Sequence, residues 1–272
     1  MSRIADAWQN VQKQERRALI TYITAGDPTI VDTERLVLAM ERAGADIVEL
    51  GIPYSDPLAD GPVIQRAAKR ALDGGLKVRH CLAAVAHLRQ QTEIPLVFLV
   101  YYATVFKYGV EDFLTDCSQA GLDGLIIPDL PLEERSQLRA LVADKGLDLD
   151  LIPLVAPTSG KRIPDLVEGA SGFVYCVSSL GVTGVRESLG SQAQDVTSAV
   201  RRYTTVPAAL GFGIARPEQI QELWDAADGF IVGSAIVREL EAGLAAKDSE
   251  QRVYALVRQL RDGVEVGPAQ VR

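Results

Sequence analysis

Glu49 is the residue whose type and position point most directly to chemistry. It lies in the run Asp46-Ile47-Val48-Glu49-Leu50-Gly51, which has the composition of a buried strand. Side chains alternate along a strand, so Glu49 shares one face with Ile47 and Gly51. If that face points into an apolar core, the pKa of the carboxyl rises toward neutrality, and the group can serve as a general acid and base. The alternative is a glutamate bonded to a tyrosine or a backbone amide, without chemistry.

The segment after this run, residues 52–62, contains three prolines and two aspartates and is therefore a stiff loop. It follows Glu49 directly, which brings Asp56 and Asp60 near the same site. Pro62 suits the first position of a helix, so Asp60 can equally be a helix cap, and Asp56 before Pro57 can be a turn former. Spacing alone leaves the two interpretations of these aspartates open.

Eight short runs of strand composition recur along the chain, and none contains Lys, Arg or His. A Schiff-base aldolase needs a lysine and a zinc enzyme in a barrel needs histidine ligands, so neither mechanism has its residues here. Asp129 follows one run, at the strand end where barrel enzymes build their sites. The runs are residues 18–24, 46–51, 96–102, 124–128, 149–155, 173–177, 208–213 and 230–233.

Helical periods separate these runs, with apolar residues at the i, i+3, i+4, i+7 spacing of a core-facing stripe. Continuous Val/Ile/Leu-rich strands are typical of a parallel sheet covered by helices. The α/β pattern therefore predicts a single-domain (β/α)8 TIM barrel over residues 1–272. Residues 1–17 are expected to form an extra N-terminal amphipathic helix, and residues 248–262 a helix outside the barrel.

Composition narrows the possible partners and surroundings. The formal net charge is −8, which disfavours nucleic acid and anionic membranes, and no targeting or membrane-spanning segment is visible. The three cysteines are far apart and form no zinc motif, so we expect buried, reduced thiols in a cytoplasmic protein. His80 and His87 are expected on an outer helix.

Glycine turns end the last two strand runs and lead into helices. Gly211-Phe212-Gly213 and Gly233-Ser234 lie where barrels bind phosphate through backbone N–H groups, although a tight turn alone would look the same. Residues 178–191 form the longest loop at this end of the predicted barrel. Their three glycines favour either a lid over the site or an ordinary mobile loop.

The stretch from Val48 to Pro62, VELGIPYSDPLADGP, resembles the signature of the tryptophan synthase alpha chain family. Five further segments resemble family segments and follow in the same order. They are residues 24–28 (TAGDP), 127–131 (IPDLP), 154–158 (LVAPT), 181–184 (GVTG) and 211–214 (GFGI). The resemblance implies retro-aldol cleavage of indole-3-glycerol phosphate to indole and glyceraldehyde 3-phosphate, without metal or organic cofactor. It assigns the proton transfers to Glu49, and it assigns to Asp60 the hydrogen bond that holds the indole N–H.

The same resemblance implies further site residues and a partner. Substrate binding is expected of Tyr22, Tyr175, Thr183, Gly184, Phe212, Gly213, Gly233 and Ser234, with Thr183 also touching Asp60. Indole is expected to pass to a beta chain within an alpha2beta2 tetramer. A stand-alone lyase, or a non-catalytic alpha chain that only activates beta, remains an alternative. Four residues depart from those common in the family. The departures at Ala103, Thr104 and Ser179 concern contacts with the beta chain, and Tyr22 concerns the packing of indole in the pocket.

Overall fold

The computed structural model describes residues 2–57, 60–177, 187–211 and 213–267, with backbone alone for residues 187–192. Its strands are β1 Ala18–Thr24, β2 Ile47–Gly51, β3 Leu96–Leu99, β4 Gly124–Ile126, β5 Asp150–Ile152, β6 Leu154–Val155, β7 Val174–Val177, β8 Ala208–Gly211 and β9 Gly229–Val232. Its α-helices are α1 Arg3–Lys13, α2 Ile30–Ala43, α3 Pro62–Asp73, α4 Val78–Leu88, α5 Tyr102–Tyr108, α6 Val110–Ala120, α7 Leu132–Asp144, α8 Ile163–Val167, α9 Glu187–Arg201, α10 Pro217–Glu222, α11 Ser234–Gly243 and α12 Ser249–Glu265. A 3₁₀ helix spans Pro157–Arg162.

All strand pairs are parallel, and the sheet order is β5-β4-β3-β2-β1-β9-β8-β7-β6. The two ends of this order, β5 and β6, are separated along the chain only by Pro153. Proline has no N–H for the ladder, so the fifth predicted run is divided into two short strands, one pairing with β4 and the other with β7. The barrel therefore closes through this segment, and the prediction of a (β/α)8 barrel is confirmed.

The alternation of side chains separates an inner and an outer core. Inward residues of the strands pack with Ile4, Trp8 and Val11 of α1, which covers the N-terminal end of the barrel. The ring centroids of Trp8 and Phe173 lie 6.1 Å apart. Outward residues such as Val48 and Leu50 pack against the surrounding helices. The inner core thus fills the lower barrel and leaves the C-terminal ends of the strands for a site.

Three helix-to-strand turns end on an aspartate that ties neighbouring strands together. The carboxylates of Asp46, Asp123 and Asp228 accept backbone N–H bonds from Leu19, Leu96 and Ala208, at 2.7 to 2.8 Å. Gly44 and Gly121, each two residues before one of these aspartates, have φ of 105° and 84°, the left-handed conformation that ends a helix. These bonds anchor the N-terminal ends of the strands.

Several element boundaries differ from the sequence-based ones. The third run was expected to continue to Tyr102, but β3 ends at Leu99 and Tyr102 already begins α5. The N-terminal helix is confirmed, as is the outer position of the C-terminal helix, since α12 packs against α2, α10 and α11. In the described part of the chain, no helix is both long and apolar enough to cross a membrane.

Candidate active site

Glu49 shares a face of β2 with Ile47, as the strand periodicity predicts, and this face points into the barrel. Its neighbours in register are Tyr22 of β1 and Val97 of β3. The residue is 1% exposed, and neither carboxyl oxygen has a hydrogen-bond partner among the described residues. Burial, with a smaller contribution from the charge of Asp60, raises the pKa of Glu49 to about 8. A carboxyl that is protonated near neutral pH and has no partner can give a proton to a bound molecule and take one back.

Two tyrosines share these surroundings. Burial raises the pKa of Tyr22 and Tyr175 above the usual value, and electrostatic interaction with Glu49 and Asp60 adds to both shifts. The Tyr22 hydroxyl lies 3.3 Å from Thr24 Oγ1. Glu49, Asp60, Tyr22 and Tyr175 are therefore close enough to influence one another, and the structure brings these four predicted site residues together.

Asp60 enters the site from the loop before α3. The N-cap of α3 is Gly61, so Asp60 does not occupy the capping position that the alternative interpretation gave it. Instead its carboxylate accepts a hydrogen bond from Tyr101, which opposes the upward shift that burial imposes on the pKa of Asp60. Tyr101 is 5% exposed and stacks on Tyr54, with ring centroids 5.0 Å apart. The loop is thus fastened to the mouth of the barrel at β3.

Two glycines leave room for the tyrosine rings. A Cβ atom at Gly51 would lie 2.1 Å from Tyr22 Oη, and one at Gly211 would lie 2.6 Å from Tyr175 Cε1. Real Cβ atoms do not approach neighbouring atoms so closely, so each ring occupies space that only glycine leaves open. Each tyrosine ring therefore packs directly against the glycine at the end of the neighbouring strand.

The predicted phosphate turns also lie at the mouth of the barrel. Gly213 follows β8 with φ of 74°, and Gly233 is the N-cap of α11, whose first residue is Ser234. Gly213 and Ser234 are exposed, and a Cβ at Gly233 would lie 3.2 Å from the Tyr22 ring. Since β8 and β9 are neighbours in the sheet, the two turns emerge side by side. Backbone N–H groups there are available to an anion.

Some predicted residues cannot be placed. Thr183, Gly184 and Phe212 lie outside the described residues, as does most of the predicted lid, residues 178–191. Across residues 2–57, 60–177, 187–211 and 213–267, no cluster of His, Cys, Asp and Glu is arranged to hold a metal ion.

The histidines and cysteines, for which no catalytic role was expected, lie on an outer helix and in the protein interior, respectively. His80 and His87 lie on α4, where the His87 ring is 2.7 Å from a Glu34 carboxylate oxygen. Cys81, Cys117 and Cys176 are free and buried, and burial raises the pKa of each thiol.

Sequence reasoning missed Tyr101 as a site residue, and it missed that Gly51 and Gly211 leave room for the tyrosine rings. Tyr101 was assigned to a strand, although its position near the C-terminal end of the predicted run was a signal that it lies at the barrel mouth. The two glycines end their strands, but nothing local to them reveals which ring lies above. That information depends on the neighbouring strand.

Comparison with known sequences identifies many relatives of this chain. The tryptophan synthase alpha chain family profile matches residues 8–265. The tryptophan synthase alpha chain of Alkaliphilus metalliredigens is 52% identical over 267 residues, covering 98% of this chain and 100% of that one. That of Caldanaerobacter subterraneus is 51% identical over 262 residues, covering 96% and 99% of the two chains.

Solved structures agree with the sequence relatives. Tryptophan synthase subunit alpha from Legionella pneumophila superposes with a TM-score of 0.88 at 33% identity, covering 97% of this chain and 99% of that chain. A structure of Mycobacterium tuberculosis tryptophan synthase superposes with a TM-score of 0.87 at 37% identity, covering 98% and 99%. With the barrel, the buried glutamate and the full-length match in agreement, this chain belongs to the tryptophan synthase alpha chain family.

Proposed function

We propose that this chain is a lyase that catalyses the alpha reaction of tryptophan synthase, the retro-aldol cleavage of indole-3-glycerol phosphate to indole and glyceraldehyde 3-phosphate. The observation that carries the proposal is Glu49, a buried carboxyl group on the inward face of β2 for which the described part of the chain provides no hydrogen-bond partner. It acts within a single barrel domain, and the reaction needs no organic cofactor or metal.

Glu49 performs both proton transfers. In its neutral form it donates a proton to C3 of the indole ring, which makes that carbon a leaving group. The bond between C3 and the side chain then breaks, and its electron pair returns to the ring. The Glu49 carboxylate removes the proton of the adjacent hydroxyl, which becomes the aldehyde. One proton is given and one is recovered, so Glu49 ends the cycle neutral.

Asp60 stabilises the charge that develops on the ring. Protonation at C3 places positive charge on the indole nitrogen, and the Asp60 carboxylate accepts the N–H bond there. The hydrogen bond from Tyr101 supports the ionised form of Asp60, because it opposes the effect of burial on the pKa. The proposal assigns the proton to Glu49 and the negative charge to Asp60 at the start of the reaction, which is the division of roles that the chemistry needs.

The rest of the pocket binds the substrate. The backbone of Gly213, Gly233 and Ser234 holds the phosphate at the N-terminus of α11, and Tyr22 and Tyr175 line the space between phosphate and indole. Thr183, Gly184 and Phe212 belong to the same proposal on family resemblance alone.

The proposal includes a beta-chain partner in an alpha2beta2 tetramer and a cytoplasmic location. Exposed Asp56 lies in the loop that carries Asp60, which gives a partner access to the catalytic carboxylate. Nearby on α5, Phe106 is 71% exposed, beside the departures at Ala103 and Thr104. An apolar ring so exposed at the barrel rim suits a protein interface.

Indole formation from indole-3-glycerol phosphate, measured on the purified chain with and without a beta chain, tests the proposal. We expect indole from the chain alone and more with the beta chain, and Asp56→Ala should reduce that increase. Indole without any association of the two chains would instead favour a stand-alone lyase. Activation of the beta chain without indole formation would identify a non-catalytic alpha chain.

A further inference from the structure

Four charged side chains connect α3 and α11, the two helices that begin at the site. Arg70 of α3 donates from Nε and Nη2 to the two carboxylate oxygens of Asp27, both at 2.8 Å, and from Nη1 to Glu241 of α11 at 2.7 Å. Arg66, one turn earlier on α3, donates twice to the same Glu241, at 2.9 and 2.7 Å. We refer to Asp27, Arg66, Arg70 and Glu241 as the α3–α11 ion cluster.

Arg70 is the centre of this cluster, because it alone bonds both acids. The Asp27 side chain, in the loop after β1, is fully buried and pairs with a guanidinium in the two-bond geometry that fixes direction as well as distance. The Arg70 side chain is 27% exposed and the Arg66 side chain 53%. Arg70 therefore connects the loop after β1, α3 and α11 from a position that is mostly shielded from solvent. Arg66 makes its contact at the surface.

Both helices of the cluster begin at the candidate site. α3 begins at Pro62, two residues after Asp60, and Gln65 Nε2 donates to the Asp60 carbonyl oxygen at 2.8 Å. α11 begins at Ser234, in the turn proposed to bind phosphate. Between the helices, Ile64, Ala67 and Val237 form an apolar cluster with the catalytic-pocket residue Tyr22. A shift of α3 against α11 would move the carboxylate relative to the phosphate turn.

We propose that Arg70 is a positioning residue that sets the spacing between Asp60 and the phosphate-binding turn of α11. This inference rests on the proposed function, in which the indole end of one substrate meets Asp60 while its phosphate end meets Gly233 and Ser234. Binding of a substrate that bridges the N-termini of two helices depends on the distance between them. Binding of either half of the substrate alone does not depend on that distance. The two catalytic carboxyl groups act on the substrate, and Arg70 acts only through the helices.

The test compares Arg70→Met with Arg89→Met. Arg89 also makes a buried pair, with Asp123, and donates to the carbonyl oxygens of Gly121 and Ile94, but it lies at the N-terminal end of the barrel. Both variants lose a partly buried guanidinium that pairs with a buried aspartate. Only the first loses a connection between α3 and α11.

We expect Arg70→Met to lower kcat/KM for indole-3-glycerol phosphate by up to about 10²-fold relative to Arg89→Met, at a temperature where both are folded. Calorimetry should show that indole and glycerol phosphate, the two halves of the substrate, bind each variant within about threefold of the parent, because neither half spans the two helices. Arg70→Lys should give an intermediate loss, since a lysine cannot make the paired bonds to Asp27.

Equal kcat/KM for Arg70→Met and Arg89→Met would overturn the proposal, as would an equal loss of affinity for the two substrate halves. If Arg70→Met does not fold, Arg70→Lys and Glu241→Gln decide, because Glu241→Gln leaves the pair with Asp27 in place. Unchanged kcat/KM in both would likewise overturn it. A parent chain that forms no indole would contradict the proposed function itself, whatever Arg70 does.

Discussion

The carboxyl group of Glu49 differs from the other acids of the chain in having neither solvent nor a hydrogen-bond partner within the described residues. A group in that state costs folding energy, because its ionised form is not solvated. Proteins keep such groups where chemistry needs them, so the absence of a stabilising contact is itself an argument for function.

The first prediction concerns activity. Glu49→Gln should fold and bind substrate, since an amide has nearly the same shape, but kcat should fall by at least about 10² to 10⁴, the usual contribution of general acid–base catalysis. Asp60→Asn should retain more activity, because the amide oxygen can still accept the indole N–H. Single-turnover indole release measures both. A Glu49→Gln rate within about tenfold of the parent would leave Asp60 as the main catalytic group.

The second prediction concerns stability and pH. The pKa of Glu49 is about 8 in the folded chain and returns to its ordinary value of 4.5 on unfolding. Between these values the folded chain holds a proton that the unfolded chain releases, so the contribution of Glu49 to stability decreases as pH rises, by up to about 1.4 kcal/mol per unit. Glu49→Gln has no such loss and should become progressively more stable than the parent until about pH 8.

Urea unfolding at about pH 5, 7 and 9 measures this difference. The exposed Glu222 provides the control, because Glu222→Gln should change the free energy of unfolding by similar small amounts at each pH. A constant difference between Glu49→Gln and the parent across the range would mean that Glu49 titrates normally in the fold.

At the strand ends, the site depends on pairs of elements that leave space for one another. β1 presents Tyr22 and β7 presents Tyr175, while the adjacent strand ends, at Gly51 and Gly211, provide the room for each ring. The pocket walls are therefore a property of strand pairs, and a methyl group on one strand alters a ring on the next.

Gly51→Ala should therefore destabilise the chain by about 1 to 3 kcal/mol and reduce activity, because the new Cβ would lie 2.1 Å from Tyr22 Oη and the ring must move. Adding Tyr22→Phe should restore part of the stability by removing that oxygen. Gly61→Ala is the control, since its methyl group meets no atom within 4 Å. Thermal unfolding ranks the four proteins, and equal stability of Gly51→Ala and Gly61→Ala would disprove the close fit.

The phosphate turns give a prediction about substrate binding. Gly213→Val or Gly233→Val should raise KM by about 10- to 100-fold with a smaller change in kcat, because lost hydrogen bonds to a charged group weaken binding before the chemistry. Gly146→Val is the control for Gly213, since both glycines have positive φ and open space around them. Steady-state kinetics measure this, and an unchanged KM in both site variants would place the phosphate elsewhere.

For the barrel as a unit, the two ends have separate tasks. The N-terminal end is filled by α1 and by the aspartate and arginine contacts around Asp46, Asp123 and Asp228. The C-terminal end carries the candidate site. Stability and function can therefore be altered independently, at opposite ends of the same strands.

Trp8→Ala tests this separation. Trp8 is 4% exposed and closes the lower end of the barrel, so its loss should reduce the free energy of unfolding by about 3 to 5 kcal/mol. KM and kcat of the remaining folded enzyme should stay near those of the parent. Denaturant unfolding combined with kinetics at low temperature measures both quantities. A large change in KM without a loss of stability would show that the two ends are coupled.

Local patterns in the sequence were sufficient for the architecture. Strand and helix periods depend on residues within one or two turns of each other, so they identified the barrel, the N-terminal helix and the residues that share a strand face with Glu49. The family signature between Val48 and Pro62 then pointed to the reaction, because residues within fifteen positions carry it.

Contacts between distant residues could not be obtained in that way. The Asp60–Tyr101 bond, the glycine spaces beneath Tyr22 and Tyr175, and the bonds of Arg70 to Asp27 and Glu241 join residues that are close only after the barrel closes. No period or propensity encodes such distances. Asp60 illustrates the difference, because its loop position fitted a helix cap as well as a catalytic group, and its bond with Tyr101 of another strand end became visible only in the folded barrel.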